Sequence, residues 1–325
     1  MIFRSAFSLA SPAGRRGKLS ILIFHRVLPE PDPLFPDEVD ARRFDRLLGW
    51  IKYWFNVLPL DEAIERLQRD DLPARAAAIT FDDGYADNYE VALPILQRHG
   101  LSATFFIAVG FLNGGRMFND TLIETVRHCQ EPVLDLALLG FGQYNLHSLE
   151  AKRQAIPALL QQIKYLPLTQ RQDAIYAIAE IAKVDLPNDL MMTAQQVKTL
   201  REAGMGIGAH TVHHPILARL ELADAEREIA DSRTFLQALL GESVTLLAYP
   251  NGKPEVDYRR EHVEIMRRLG FKAAVSTAWG VARGDSDLFQ LPRFTPWERS
   301  CWRFGLSLLR NYGRMPKTCT VEQNA

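Results

Sequence analysis

The chain has 325 residues, of which 47% are hydrophobic and 24% charged, and a formal net charge of −1. That balance suits a globular protein with a substantial core and argues against a disordered chain. Acids and bases are mixed along it, so there is no basic footprint for a phosphate backbone and nucleic acid is excluded as the leading partner.

The opening stretch, MIFRSAFSLASPAGRRGK, places its basic cluster after a short apolar segment interrupted by Ser and Pro, the reverse of a secretory leader. No run approaches the ~18 consecutive apolar residues of a membrane span. Cys129, Cys301 and Cys319 form neither a CxxC pair nor an even set, which favours a reducing compartment over a disulfide framework. The expectation is a cytoplasmic protein with no transmembrane segment, although a polysaccharide substrate would be compatible with membrane proximity.

From there short apolar runs recur at 19–24, 76–81, 103–109, 205–209, 245–249 and 273–276, each ending abruptly in polar or glycine-containing sequence. Continuous runs of this length suit strands buried on both faces. Between them lie helical patterns at 41–53, 60–69, 89–99, 194–203, 223–240 and 256–269; in 223–240, Ile229, Phe235 and Leu239 are expected to share the buried face. Gly100, Gly204, Gly241 and Gly270 stand where C-terminal caps belong. The alternation predicts an α/β fold, a distorted barrel of parallel strands in one domain over 1–325. About 110–190 breaks the rhythm with helix formers at 121–129, 148–165 and 170–182 and reads as a mostly helical insertion. The polar, basic sequence after about 310 reads as a flexible tail.

Two segments carry chemistry. In Thr80-Phe81-Asp82-Asp83-Gly84 an apolar strand runs into adjacent carboxylates at its C-terminal end, where parallel folds bind ligands. Neighbouring residues there can point apart, so one acid can ligate a metal while the other handles a proton. The second is His210-Thr211-Val212-His213-His214-Pro215, whose imidazoles four apart can converge on one ion. With one carboxylate they make a His₂Asp set that leaves positions open for water and substrate, as catalytic metal sites require.

TFDDG followed by HTVHHP resembles the paired motifs of the polysaccharide deacetylase, or NodB-homology, family. The resemblance extends from about Ile21 to Phe294, through Phe24-His25-Arg26-Val27, Asp87-Asn88, Leu93-Pro94-Ile95-Leu96 and Ala103-Thr104-Phe105-Phe106, with the helical insert as an interruption. It implies that Asp82 is a general base, that Asp83, His210 and His214 hold one divalent ion (zinc, with cobalt, nickel, iron or manganese as alternatives), and that His213 is a variable interior position. It implies further that the substrate is an N-acetylated amino sugar, cleaved to acetate and a free amine.

Two departures stand out. The third motif lacks the arginine many members carry and reads Tyr249-Pro250-Asn251-Gly252, like some exopolysaccharide deacetylases; Tyr249 and Pro250 are assigned there to the substrate and oxyanion, the donor being the Tyr249 N–H. The C-terminal histidine that serves many members as general acid is replaced by Leu291-Pro292-Arg293-Phe294. His25, at the end of the first strand, is the candidate acid, and Arg293 the candidate cation holding Asp82 ionised. The alternatives are an O-acetyl esterase or another amide hydrolase on the same fold, and an inactive carbohydrate-binding homologue. Gly204-Met205-Gly206-Ile207-Gly208 lacks dinucleotide-loop spacing. Trp279, Trp297 and Trp302 are read as core packing ahead of sugar stacking.

Overall fold

The structure, a computed structural model, describes residues 2–319. In chain order it contains α1 (Ile2–Ala10), β1 (Leu19–Phe24), α2 (Ala41–Trp54), β2 (Asn56–Val57), α3 (Leu60–Gln68), β3 (Ala76–Phe81), α4 (Leu93–His99) and β4 (Thr104–Ile107). The central region holds α5 (Phe118–His128), β5 (Val133–Leu136), β6 (Gly142–Asn145), α6 (Leu149–Ile163) and α7 (Leu168–Ala182). Then follow α8 (Ala194–Glu202), β7 (Gly206–Ala209), α9 (Leu222–Leu240), β8 (Leu246–Ala248), α10 (Arg260–Arg268), β9 (Ala273–Val275) and α11 (Cys301–Asn311).

The main sheet is parallel and curled, ordered β1-β3-β4-β7-β8-β9, with β2 added beside the start of β3. All six predicted strands are present in it, and with the surrounding helices it makes the expected distorted (β/α) barrel. Every residue of β1 and β3 is buried because alternate side chains serve two cores. Leu22, Phe24, Ile79 and Phe81 face the outer helices, whereas Leu19, Ile21, Ala76 and Ala78 face the interior, where Leu60, Ile64 and Leu67 of α3 pack against them. The stretch 291–294 joins the ends of the sheet: Leu291 N–H donates to Ala274 O on one side, and Phe294 N–H donates to Ile21 O on the other.

Several expectations are corrected. The N-terminal segment, for which no element was predicted, is a helix whose Phe3 and Phe7 are buried against Trp54 and Phe55. In α9 the buried face is Ala225, Ile229, Ser232 and Leu236, at helical spacing, so Phe235 turns to solvent. The helix read at 256–269 starts only at Arg260, because 253–258 folds into a turn in which Lys253 N–H donates to Asp257. The insertion is not wholly helical. β5 and β6 form an antiparallel hairpin, and Leu134 and Leu136 alternate inward to a separate core with Leu122, Val126, Ile156 and Leu159. The period-2 pattern was masked by Leu138 and Leu139 in the turn. The segment 310–319, expected to be flexible, packs instead: Tyr312 and Cys319 are buried, and Cys319 N–H donates to Gln290 Oε1; the end of that expected tail, 320–325, lies outside the described residues. Trp279, Trp297 and Trp302 are exposed and do not belong to the core.

Candidate active site

The two motif segments meet at the C-terminal ends of β3 and β7. Asp83 follows β3 in a left-handed conformation (φ 79°), a strained position for a residue with a β-carbon. Its carbonyl accepts the Ala108 N–H beyond β4, and the next residue, Gly84 (φ 92°), lies so close to Ile107 that a side chain would have little room. His210 and His214 leave the end of β7 through a turn in which Thr211 and His214 also adopt positive φ. Glu228 of α9 pins that turn, accepting the N–H groups of Val212 and His213 and pairing with His213 Nδ1 at 2.7 Å. No local pattern marked Glu228 beyond its place on a predicted helix.

The ligand atoms of Asp83, His210 and His214 lie within 4.8 Å of one another. His210 Nδ1 donates to Ala248 O at 2.7 Å, which leaves Nε2 with a lone pair aimed at Asp83 Oδ1, 3.3 Å away. His214 Nε2 stands 3.4 Å from the same oxygen. Asp83 Oδ1 is buried and has no hydrogen-bond partner. Lone pairs converging this closely repel unless a proton or a cation lies among them, so this donor set fits a small divalent ion. Without one, burial drives the His214 pKa down to about 4. Burial also pushes Asp83 up, but the two imidazoles outweigh it and hold this carboxyl far below its usual range; for His210 the nearby Asp82 and Asp83 outweigh burial in the opposite direction.

Asp82 points into the barrel beside this cluster, with Oδ2 4.0 Å from His210 Nε2. Both its oxygens are gripped by Arg293, each at 2.7 Å. Arg293 is fully buried, and its Nε donates to Ser276 O. Burial raises the Asp82 pKa, but Arg293 and His210 more than offset this, so the carboxyl stays ionised below its ordinary range. The third motif carries no arginine, but a buried cation stands against Asp82 on the segment that joins the sheet ends.

His25 follows β1 and lines, with Asp83, Tyr85, Arg26 and Asp120, a cavity of about 210 Å³. Its backbone is tied down by the pair that the sequence placed after TFDDG: Asn88 Nδ2 donates to His25 O, while Asp87 accepts Val27 N–H and Arg26 Nε. The third motif departs from its expected role. Tyr249 N–H donates to Val275 O at 3.1 Å, and the Tyr249 ring is stacked on Tyr258 in the core, with centroids 3.9 Å apart. Neither group faces the site and Pro250 has no N–H, so the oxyanion donor placed here is withdrawn. What this segment supplies to the centre is the carbonyl of Ala248, the last residue of β8 just before the motif, which orients His210.

The sequence model of the polysaccharide deacetylases matches residues 69–131 and 164–274, more than half of the chain. The chain belongs to the polysaccharide deacetylase family. It is accordingly a deacetylase-type hydrolase, and the interruption in the match, 132–163, coincides with the hairpin and α6 of the insertion. Among curated proteins, the chain is 22% identical over 278 residues to YxkH of Bacillus subtilis (strain 168), itself named only as a candidate polysaccharide deacetylase, covering 85% of this chain and 70% of that protein. Among solved structures it is similar in fold to the Streptococcus pyogenes deacetylase PplD in complex with acetate, with a TM-score of 0.57 and 22% identity over 86% of this chain and 92% of that one. IcaB from Ammonifex degensii gives a TM-score of 0.58 and 19% identity over 91% and 98%. Among the described residues no helix is long and apolar enough to cross a membrane.

Proposed function

We propose that the protein is a metal-dependent hydrolase that removes N-acetyl groups from an amino sugar in a polysaccharide, an oligosaccharide or a glycan precursor. The observation that carries this reading is the convergence of Asp83, His210 and His214 on one point, with an unpartnered buried oxygen among them. The ion they would hold supplies Lewis-acid polarisation of the acetyl carbonyl and lowers the pKa of an attacking water.

The chain's own residues supply the rest. Asp82, kept ionised by Arg293, takes the proton of the attacking water. Ala248 O holds His210 in the tautomer that presents Nε2 to the ion. His25, on the same cavity as Asp83, gives a proton to the departing nitrogen, the function left vacant by the absent C-terminal histidine. Amine departure from an amide requires that proton, whereas many esters cleave without it.

The test is acetate release by zinc-reconstituted protein from a panel of N-acetylated and O-acetylated sugars. Release from N-acetylhexosamine oligomers with appearance of a primary amine supports the reading. Release from O-acetyl sugars alone would make the protein an esterase, and release from neither, with the ion bound, would make it a binding homologue.

A further inference from the structure

The two ends of the described chain pack on each other. The Phe3 ring of α1 sits on Gly305 of α11, where a β-carbon would lie 2.5 Å from it, and Phe7 meets Tyr312. Phe3, Phe7, Phe304 and Leu308 turn inward. The outward sides are apolar as well: Ile2 and Leu9 are 67% and 86% exposed, Trp302 and Leu306 60% and 45%. Spacings of seven and four keep each pair on one side of its helix. Single exposed apolar residues are ordinary, but four large ones on two adjoining helices mark an interaction surface.

The charge on these segments is one-sided. Residues 2–18 and 299–319 contain nine Lys or Arg and no Asp or Glu, in a chain whose net charge is −1. Arg4, Arg303 and Arg310 are exposed, and among the described residues none forms a salt bridge. The acids nearby lie outside these segments: Glu298 directly precedes Arg299, Asp37 pairs with Arg299, and Asp70 and Asp285 lie beside Arg15, Arg16 and Lys18.

We infer that the joined α1–α11 surface docks on an anionic lipid bilayer, its apolar side chains entering the interfacial layer and its arginines meeting lipid phosphates. Tryptophan beside arginine is suited to that boundary. A second copy is the poorer occupant, since a two-fold interface would set this acid-free patch against itself. The surface also adjoins the reaction centre. Arg299 at the head of α11 holds Asp37, Arg43 holds Trp297 O, and Phe35 and Glu38 of the same 32–38 loop line the cavity shared by His25 and Asp83. A glycan carried at a membrane would therefore meet the site without leaving the surface.

The experiment is co-sedimentation of the full chain with phosphatidylcholine vesicles made with and without phosphatidylglycerol. Binding is expected only with the anionic lipid and should weaken with salt. The Leu9→Glu/Leu306→Glu and Arg303→Gln/Arg310→Gln variants should each bind at least ~tenfold less, with the melting temperature and acetyl-ester hydrolysis unchanged. Absence of binding by the wild type, or undiminished binding by both well-folded variants, would overturn the inference. So would a wild-type dimer that Leu9→Glu/Leu306→Glu converts to monomer, because the face would then be a contact between copies.

Discussion

Arg293 and Asp82 meet inside the barrel as a buried, two-pronged ion pair between residues 211 positions apart in sequence. Such a pair is costly to break from one side, because the remaining charge has no water to turn to. Arg293→Met is expected to destabilise the ion-free protein by about 3–5 kcal/mol at neutral pH. Asp82 is held below its ordinary pKa, so the stability it contributes is present above the unfolded value and fades as the pH falls through the folded one. The difference between wild type and variant should therefore shrink in acid, and the acid limb of the activity profile of Arg293→Met should move to higher pH. Urea titrations at several pH values, together with a pH–rate profile, check both; a pH-independent difference would mean that Arg293 acts by packing alone.

The two aspartates should separate by role. Asp82→Asn is expected to bind about one divalent ion per chain as the wild type does, yet to lose roughly 10²–10⁴-fold in kcat. Asp83→Asn, His210→Ala and His214→Ala should weaken the ion itself, and His210→Ala should release fewer protons when it binds. Calorimetry in buffers of different ionisation enthalpy measures stoichiometry and proton release together. Stoichiometric binding that survives in the His210→Ala/His214→Ala double variant would sink the proposed ligand set.

How much of this was legible in the sequence depends on the range of the contact. Thr80 to Gly84 and His210 to Pro215 disclosed the site because strand and turn are encoded locally and the residue types are chemically pointed. Asp87 and Asn88 were visible as part of a familiar string, but their work of tethering the His25 loop is a contact across about sixty residues that no local pattern carries. Glu228 was hidden for the same reason. Tyr249 was misread because a motif shows a residue's identity and not where its N–H goes; in the fold that N–H is part of the sheet. The hairpin in the insertion was lost because apolar residues in its turn imitate a helix.

His25 offers a sharper test of the proposed proton donor. His25→Ala should leave the ion bound and should damage hydrolysis of an N-acetyl sugar far more than that of an activated acetate ester, whose leaving group departs unprotonated. Steady-state rates on the two substrates with one enzyme preparation give the comparison. Equal losses would assign His25 to positioning, and no loss would remove it from the reaction.

Asp120 on α5 is buried, accepts the Tyr85 hydroxyl at 3.0 Å, and is pushed by burial from an ordinary 3.8 up to about 7. A carboxyl raised in this way costs nothing while it is protonated in both states and opposes the fold increasingly as the pH climbs from the unfolded value of 3.8 to the folded value of about 7. Asp120→Asn keeps an oxygen for Tyr85 and cannot ionise. In chelator-treated protein it should be nearly neutral at about pH 3 and stabilising by about 1–4 kcal/mol at about pH 9. Denaturant midpoints at the two pH values decide it; an equal shift at both would mean that ionisation is not the cause.

The stretch 291–294 has a double duty: its backbone links the last strand to the first, and its arginine is the partner of Asp82. Completing the barrel and balancing the charge of the proposed base are therefore one event. A nascent chain that has already presented both aspartates and both histidines still carries an uncompensated carboxylate in its interior until this late segment arrives. Chemistry at the site is thereby tied to the completeness of the fold: a chain truncated before 291 would have every proposed metal ligand and no means of keeping its base ready.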